Sequence, residues 1–337
     1  MATVVNNILG LVEIAKRTNN NEVLTVHEVL SRVDEFLADM VLVPANQVSA
    51  HVHNRRTSQP SGTWRKIGTG ANTETSHTKQ IVENIGTLES WAEIDELTIK
   101  KMLGDRQAFL NTEFVSFIEG LGQTITSAFV TSDTQVNPEQ FDGMQIRLNS
   151  LGTYVKGAGG SGGDTTSIYG VHWGPNAVCA LFEPDLANPA GSAPVQIDNK
   201  GLQTVEDGSS TTPTRRDVFQ AKFQASMGLA VHDDRDIFRL TNIEDDSAGA
   251  NIVEPDLLVE LMRQGRKGGQ AVPGGEAAPE WILYAHRIVL TQLDILAMDK
   301  SNVLYNPATL WGEPVTAFRG APLRQLDAIG ITETVVA

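Results

Sequence analysis

One cysteine, Cys179, stands in 337 residues. A lone thiol excludes an intramolecular disulfide framework and any multi-cysteine zinc site. It lies in the apolar run NAVCALF, which predicts a strand, so a small buried hydrophobe is a better reading than a nucleophile. Long hydrophobic runs are also missing. None approaches the roughly 20 residues needed to span a bilayer. The opening MATVVNN puts no basic region ahead of an apolar core, so no secretory signal is expected. Positive charge is scarce as well. The formal net charge of −15 argues against a dedicated nucleic-acid binder, because neutralising phosphates takes a basic face. What remains, 41% hydrophobic and 20% charged residues, suits a soluble folded chain. At 337 residues it is long enough for two lobes.

Glycine is plentiful, and its densest stretch imitates two enzyme motifs. Gly157-Ala-Gly159-Gly160-Ser161-Gly162 fits the dinucleotide pattern G-x-G-x-x-G, and Gly159 to Gly163 fits the hydrolase elbow G-x-S-x-G. Both motifs require a helix directly afterwards, to aim its N-terminus at a phosphate or to carry the serine. Here DTTSIYGVHW follows, β-branched and aromatic, which predicts a strand. A dinucleotide-binding enzyme is therefore the weakest of the functional readings, and no catalytic residues or cofactor are expected.

The apolar spacing predicts short helices over residues 3–17 and 26–40, the second opened by a capping box at Thr25 and Glu28. Asp105 to Val130 carries one apolar stripe through about seven turns, a strut about 39 Å long. Gly120 and Gly122 interrupt it, as if a neighbouring element packed close there. Phe219 to Val231 alternates without a break, the sharpest strand signal in the chain, and Ile237 to Ile243 is expected to return as its antiparallel partner. Ser167 to Phe182 predicts another strand, Pro255 to Arg266 and His286 to Met298 predict helices, and Trp281 to Tyr284 a short strand. A hairpin closes the chain within GEPVTAFRGAPLRQLDAIG. Strands and helices are segregated, so the class is α+β.

Asn46 to Gln80 differs from the rest. It holds Arg55, Arg56, Arg65, Lys66 and Lys79 against Glu74 alone, together with three of the seven histidines. Its alternation predicts a long β-hairpin with few large apolar residues, an arm projecting from the body. Copies of the same acidic molecule are a natural partner for it, although a solvated basic loop fits the charge equally well. His51-x-His53 would put two imidazoles on one side of a strand, as some zinc sites do. With no cysteine or carboxylate at ligand spacing, and His77 across the hairpin, a solvated or interface pair is expected and no metal. Acidic runs at Asp233–Asp236 and Glu244–Asp246 lack the calcium-loop pattern and are expected at turns. Trp173, Trp281 and Trp311 are expected as core or interface anchors.

Four stretches in order resemble the major capsid protein of short-tailed double-stranded-DNA bacteriophages, which has the Hong Kong 97-type fold. They are TSDTQVNPEQFDGM, GGSGGDTTSIYGVHWGPNAVCALFEP, FQAKFQASMGLAVHDDRDIFRLTNIED and GEPVTAFRGAPLRQLDAI. The resemblance implies an N-terminal arm (1–45), an extended hairpin or E-loop (46–88), a peripheral domain with spine helix and β-sheet (89–149 and 202–246) and an axial domain (150–201 and 247–337). It implies self-assembly into pentamers and hexamers of an icosahedral shell that encloses double-stranded DNA without reading its sequence. Arg55, Arg56, Trp64, Arg65 and Lys66 of the E-loop would contact an adjacent subunit. Gly157, Gly159, Gly160, Gly162 and Gly163 would form a hinge between domains. A portal protein is an implied partner, with decoration proteins as an open option. Since 45 residues are few for a built-in scaffold, a separate scaffolding protein, or none, is implied. The virion, assembled in the host cytoplasm, is the implied location, with no membrane. An encapsulin-like nanocompartment shares the fold and is the alternative.

Overall fold

The computed structural model describes residues 35–97, 106–184, 194–207, 214–245, 251–266, 281–299 and 317–337. The helix expected over 3–17 lies outside them, as does Trp311. So does most of the helix expected over 26–40, whose described end is α1, Glu35–Asp39.

The strut is present as α2, Arg106–Thr131. Phe114, Ile118, Leu121, Ile125 and Phe129 recur every three or four residues, and all are buried. Each such side chain contributes about 1.5–3 kcal/mol on leaving water. They pack on a five-stranded sheet in which β1 (Leu42–Pro44), β7 (Val178–Phe182), β9 (Thr214–Val231) and β4 (Gly86–Asp95) are neighbours in that order. β8 (Val195–Asp207) pairs with the other half of the β9 edge that β7 occupies. β9 is the spine of this sheet. Ala221, Phe223, Ala225, Met227, Leu229 and Val231 alternate into the core, and the Phe223 ring lies 5.8 Å from Phe114 and 5.7 Å from Phe117. Cys179 is buried on β7 beside Leu181 and Ala230, and burial pushes its thiol up to about 12. It packs as a small apolar side chain.

The close packing expected at Gly120 is absent: a methyl group there would meet open space, and the residue faces solvent. Gly122 is buried.

The partner expected for β9 goes elsewhere. β10 (Ile237–Glu244) lies in a second, six-stranded sheet ordered β12 (Ala317–Phe318), β13 (Ala321–Gln325), β11 (Trp281–Ala285), β6 (Thr165–His172), β10, β5 (Val155–Gly157). The reason is burial. Seven of the eight β10 residues, and all eight of β6, are buried on both faces, which suits interior strands rather than one half of a surface hairpin. The turn between β9 and β10 helps. Asp233 accepts from the Arg235 backbone N–H at 3.0 Å and caps a single 3₁₀ turn, Asp234–Asp236, that redirects the chain. The single strand expected over Ser167–Phe182 is likewise two, one in each sheet. Pro175 in the intervening Trp173–Ala177 turn cannot donate to a ladder. The chain therefore changes sheet at Trp173–Ala177 and again at His232–Asp236, and the His232 N–H donates to the Ala177 carbonyl at 2.9 Å. The two crossings touch.

α1 seals the junction of the two sheets. The fully buried Phe36 ring lies 4.9 Å from Tyr284, 5.6 Å from Trp173 and 5.9 Å from Phe129. The Trp173 indole donates to the Tyr284 hydroxyl at 2.8 Å, which in turn donates to Asp39 at 3.0 Å, so the polar ends of this aromatic cluster are satisfied. Helices α4 (Pro255–Gln264) and α5 (Arg287–Asp299) bury Leu258, Leu261, Val289 and Leu293 in a second core with Phe238, Leu240 and Leu283 of the six-stranded sheet.

The glycine stretch joins two strands of that one sheet, β5 and β6, both paired with β10. A bulge in β10 sits between Leu240 and Ile243, with Asn242 at φ 58°. The stretch wraps this bulge closely: the Gly160 N–H donates to the Asn242 carbonyl at 2.9 Å, and a Cβ on Gly160 would stand 2.6 Å from that oxygen. Gly159 has φ +97°, where only glycine is comfortable. A strand follows it, as the sequence predicted, and not the helix that both enzyme motifs require.

Candidate functional site

The basic segment is a separate two-stranded ribbon, β2 (Ala50–Ser58) and β3 (His77–Asn84), with a bulge between Arg56 and Ser58. It ends at Asn84, and Gly86 already starts β4 of the body. Every residue from Arg56 to Gln80 is exposed. At the tip, the Glu74 carboxylate accepts from the N–H groups of Ser61 (2.7 Å) and Gly62 (3.1 Å), and Thr69 N–H returns to the Lys66 carbonyl at 3.1 Å. Between these turns Trp64 and Ile67 stand at about full exposure, 105% and 99%. A large aromatic and a β-branched aliphatic are thus presented to water side by side with charged residues. Arg65 and Lys66 lie between them in the chain, Arg56 and Lys79 stand on the two strands behind the tip, and none of the four makes an ion pair among the described residues.

The root of the ribbon is built differently. Glu83 is buried and receives both guanidinium nitrogens of Arg147, at 2.9 and 2.6 Å. Arg147 also donates to the carbonyls of Asp142 (3.0 Å) and Leu229 (3.1 Å), so it rivets β3 to the body through β9. Asn46 bonds Val52 in both directions, Nδ2 to its carbonyl at 2.7 Å and Oδ1 from its N–H at 2.9 Å, and fixes the entry to β2. Arg55, which the resemblance would set against an adjacent subunit, is engaged within its own chain: it pairs with Asp234 at 2.7 Å and donates to the Val231 carbonyl at 2.8 Å. It lies inside the point where the ribbon meets the body, while Arg56, one residue on, faces out.

The histidines differ from expectation too. His51 and His53 do share a side of β2, but their third neighbour is His232 from the turn after β9, not His77. Nothing in local spacing links His232 to the H-x-H pair, and only the docking of the ribbon root on that turn brings them together. The carboxylates of Asp233–Asp236 take part in turn capping and arginine pairing, as their position at a hairpin end suggested. Of the five glycines of the proposed hinge, Gly157 and Gly160 stand against Asn242 of the β10 bulge, Gly159 against Asn251 and Gly162 against Asp164, while Gly163 faces open space.

Comparison with known proteins bears on what this surface is for. The family model described as major capsid protein GP7 matches residues 18–337. A search of curated proteins returns no match. Among solved structures, the capsid protein of bacteriophage Epsilon15 is similar over 100% of this chain and 99% of its own, with 23% identity and a TM-score of 0.67. A bacteriophage JBD30 capsid chain aligns more loosely, at 10% identity and a TM-score of 0.41 over 86% and 88% of the two chains. The family model and the Epsilon15 match give the α+β capsid fold of the Hong Kong 97 type. The chain belongs to the major capsid protein GP7 family, and it is a bacteriophage capsid protein that builds the icosahedral shell of the virion.

Proposed function

We propose that the ribbon Ala50–Asn84 is the element that ties one subunit to the next, lying across a neighbouring copy with Trp64 and Ile67 against it. The observation that carries this reading is the exposure of every residue from Arg56 to Gln80 in an otherwise well-packed chain. A fully exposed Trp gains up to about 3 kcal/mol on burial, and the basic residues of the ribbon add attraction to a neighbour whose remaining surface is acidic. The subunits close into pentamers and hexamers, and many weak contacts made together hold each copy in place. In this reading the five-stranded sheet with α2 is the peripheral domain and the six-stranded sheet the axial domain. That division follows the sheets, so β7 and β8 go with the first and β10 with the second, unlike the ranges expected from the sequence.

The shell encloses double-stranded DNA without reading its sequence, and the excess of acid in the chain keeps the wall from gripping the phosphates. A portal protein at one vertex, a scaffolding protein and decoration proteins are the expected partners, with assembly in the host cytoplasm. The chain works as a building block and not as a catalyst.

The test is assembly. W64A combined with I67S should leave the circular dichroism of the subunit unchanged and abolish shells in electron micrographs and in sedimentation. Normal shells from this double variant would overturn the reading.

A further inference from the structure

We propose that His51, His53 and His232 form a binding site for one divalent transition-metal ion of the zinc type, placed where the ribbon root meets the body. One ligand nitrogen from each ring can be chosen so that all three lie within 4.8 Å of one another. The ring centroids are 4.6 Å (His53–His232), 5.9 Å (His51–His232) and 6.1 Å (His51–His53) apart. Three imidazoles on a tetrahedral zinc, at about 2.0–2.1 Å each, bring their nitrogens to about 3.3 Å from one another.

The rings have few other duties. His51 Nδ1 and both nitrogens of His53 are buried and make no hydrogen bond among the described residues. Buried polar atoms in that state are rare and point to an absent partner. Glu83, cross-strand from His51, does not fill that place: its carboxylate is committed to Arg147 through two hydrogen bonds. His232 is already oriented. Its Nδ1 lies 3.2 Å from the Ala177 carbonyl, which can accept only from an N–H, so Nε2 carries the free lone pair. Burial, with the neighbouring His232 next in effect, pushes the His53 imidazole down to about 4, and burial lowers His51 as well. Neutral rings are the form that binds metal. A three-histidine set leaves one tetrahedral position for water.

The ion would join β2 to the turn after β9, beside the bond from Arg55 to Asp234, and so fix the ribbon against the body. Binding itself does not depend on what the ribbon does in the shell.

The experiment uses the full chain, stripped with a chelator and titrated with Zn²⁺ by calorimetry and with Co²⁺ by absorption. One equivalent per chain is expected, with a tetrahedral cobalt spectrum. H53A and H232A should each weaken binding about tenfold or more, whereas H77A, at an exposed histidine of β3, should not. A second measurement needs no variant. Zn²⁺ should protect His51, His53 and His232, and not His77, from acylation by diethyl pyrocarbonate read by mass spectrometry. No saturable binding, equal affinity in H53A and H232A, or equal acylation of the three rings with and without zinc would overturn the site.

Discussion

At the scale of single residues, two of the glycines that the sequence marked, Gly120 and Gly160, separate in opposite directions. Gly120 sits on an exposed turn of α2 with open space where its Cβ would be. Alanine there loses none of the observed packing and removes the entropy penalty of glycine in a helix. G120A should therefore stabilise the unassembled subunit by about 0.5–1 kcal/mol in a denaturant titration. Gly160 is the reverse case, because its Cβ would meet the Asn242 carbonyl at 2.6 Å, a backbone atom that cannot turn aside. G160A should cost about 1–3 kcal/mol in the same measurement. Arg147 provides a third check. Replacing it with methionine leaves the carboxylate of Glu83 buried without its partner, and a loss of about 3 kcal/mol is expected. If the loss arises from that stranded charge, the double variant E83Q/R147M should recover part of it in a double-mutant cycle.

At the scale of elements, legibility followed burial. The α2 stripe was readable because the helix buries one face and shows the other to water, and the β9 alternation because its second face carries the half-buried polar residues Gln220, Lys222 and Gln224 and then only the small Ser226, Gly228 and Ala230. Their periods, 3.6 and 2, therefore survive in the sequence. β6 and β10 are buried on both faces, so their apolar runs announce strands without naming their partners. That is why β10 was expected beside β9 and lies instead between β6 and β5. The ribbon was legible as an arm from its charge and its lack of large apolar residues. Its root was not, since Arg55 and Asp234 are 179 positions apart and meet only once two sheets have formed. The only trace of the His51, His53 and His232 cluster in the sequence was the H-x-H pair, with no sign of its third member. The root yields its own prediction. R55A removes bonds to Asp234 and Val231 while the Glu83–Arg147 rivet stays. Amide exchange in β2 should quicken several-fold, with β9 amides unchanged.

At the scale of the molecule, the described C-terminal segment is part of the fold rather than a trailing end. Arg239, on β10, is 1% exposed and donates to Ser167 Oγ (3.0 Å), the Leu148 carbonyl (2.8 Å) and Glu333 (3.0 Å). Glu333 also accepts from Ser167, and Val336 exchanges two hydrogen bonds with the Asn242 side chain, each at 2.9 Å. Residues 333–336 thus close over the six-stranded sheet at the bulge that the glycine loop wraps. E333A leaves the Arg239 charge buried without its carboxylate, so the whole subunit should lose about 3–5 kcal/mol. Thermal unfolding of unassembled protein would show it, and an unchanged midpoint would mean that Arg239 finds another partner.

The place where Arg55 grips the body has a mechanical consequence. Its two bonds fall on Val231 and Asp234, within the crossing from the first sheet to the second, and the neighbouring His232 N–H is bonded to Ala177 of the other crossing. In the proposed shell contact, a pull on the ribbon by a neighbouring subunit would therefore not be dissipated in a free loop. It would arrive as torque at the seam between the two sheets, with the arm as lever and the paired crossings as fulcrum, so that strain in one subunit would tilt the sheets of the next.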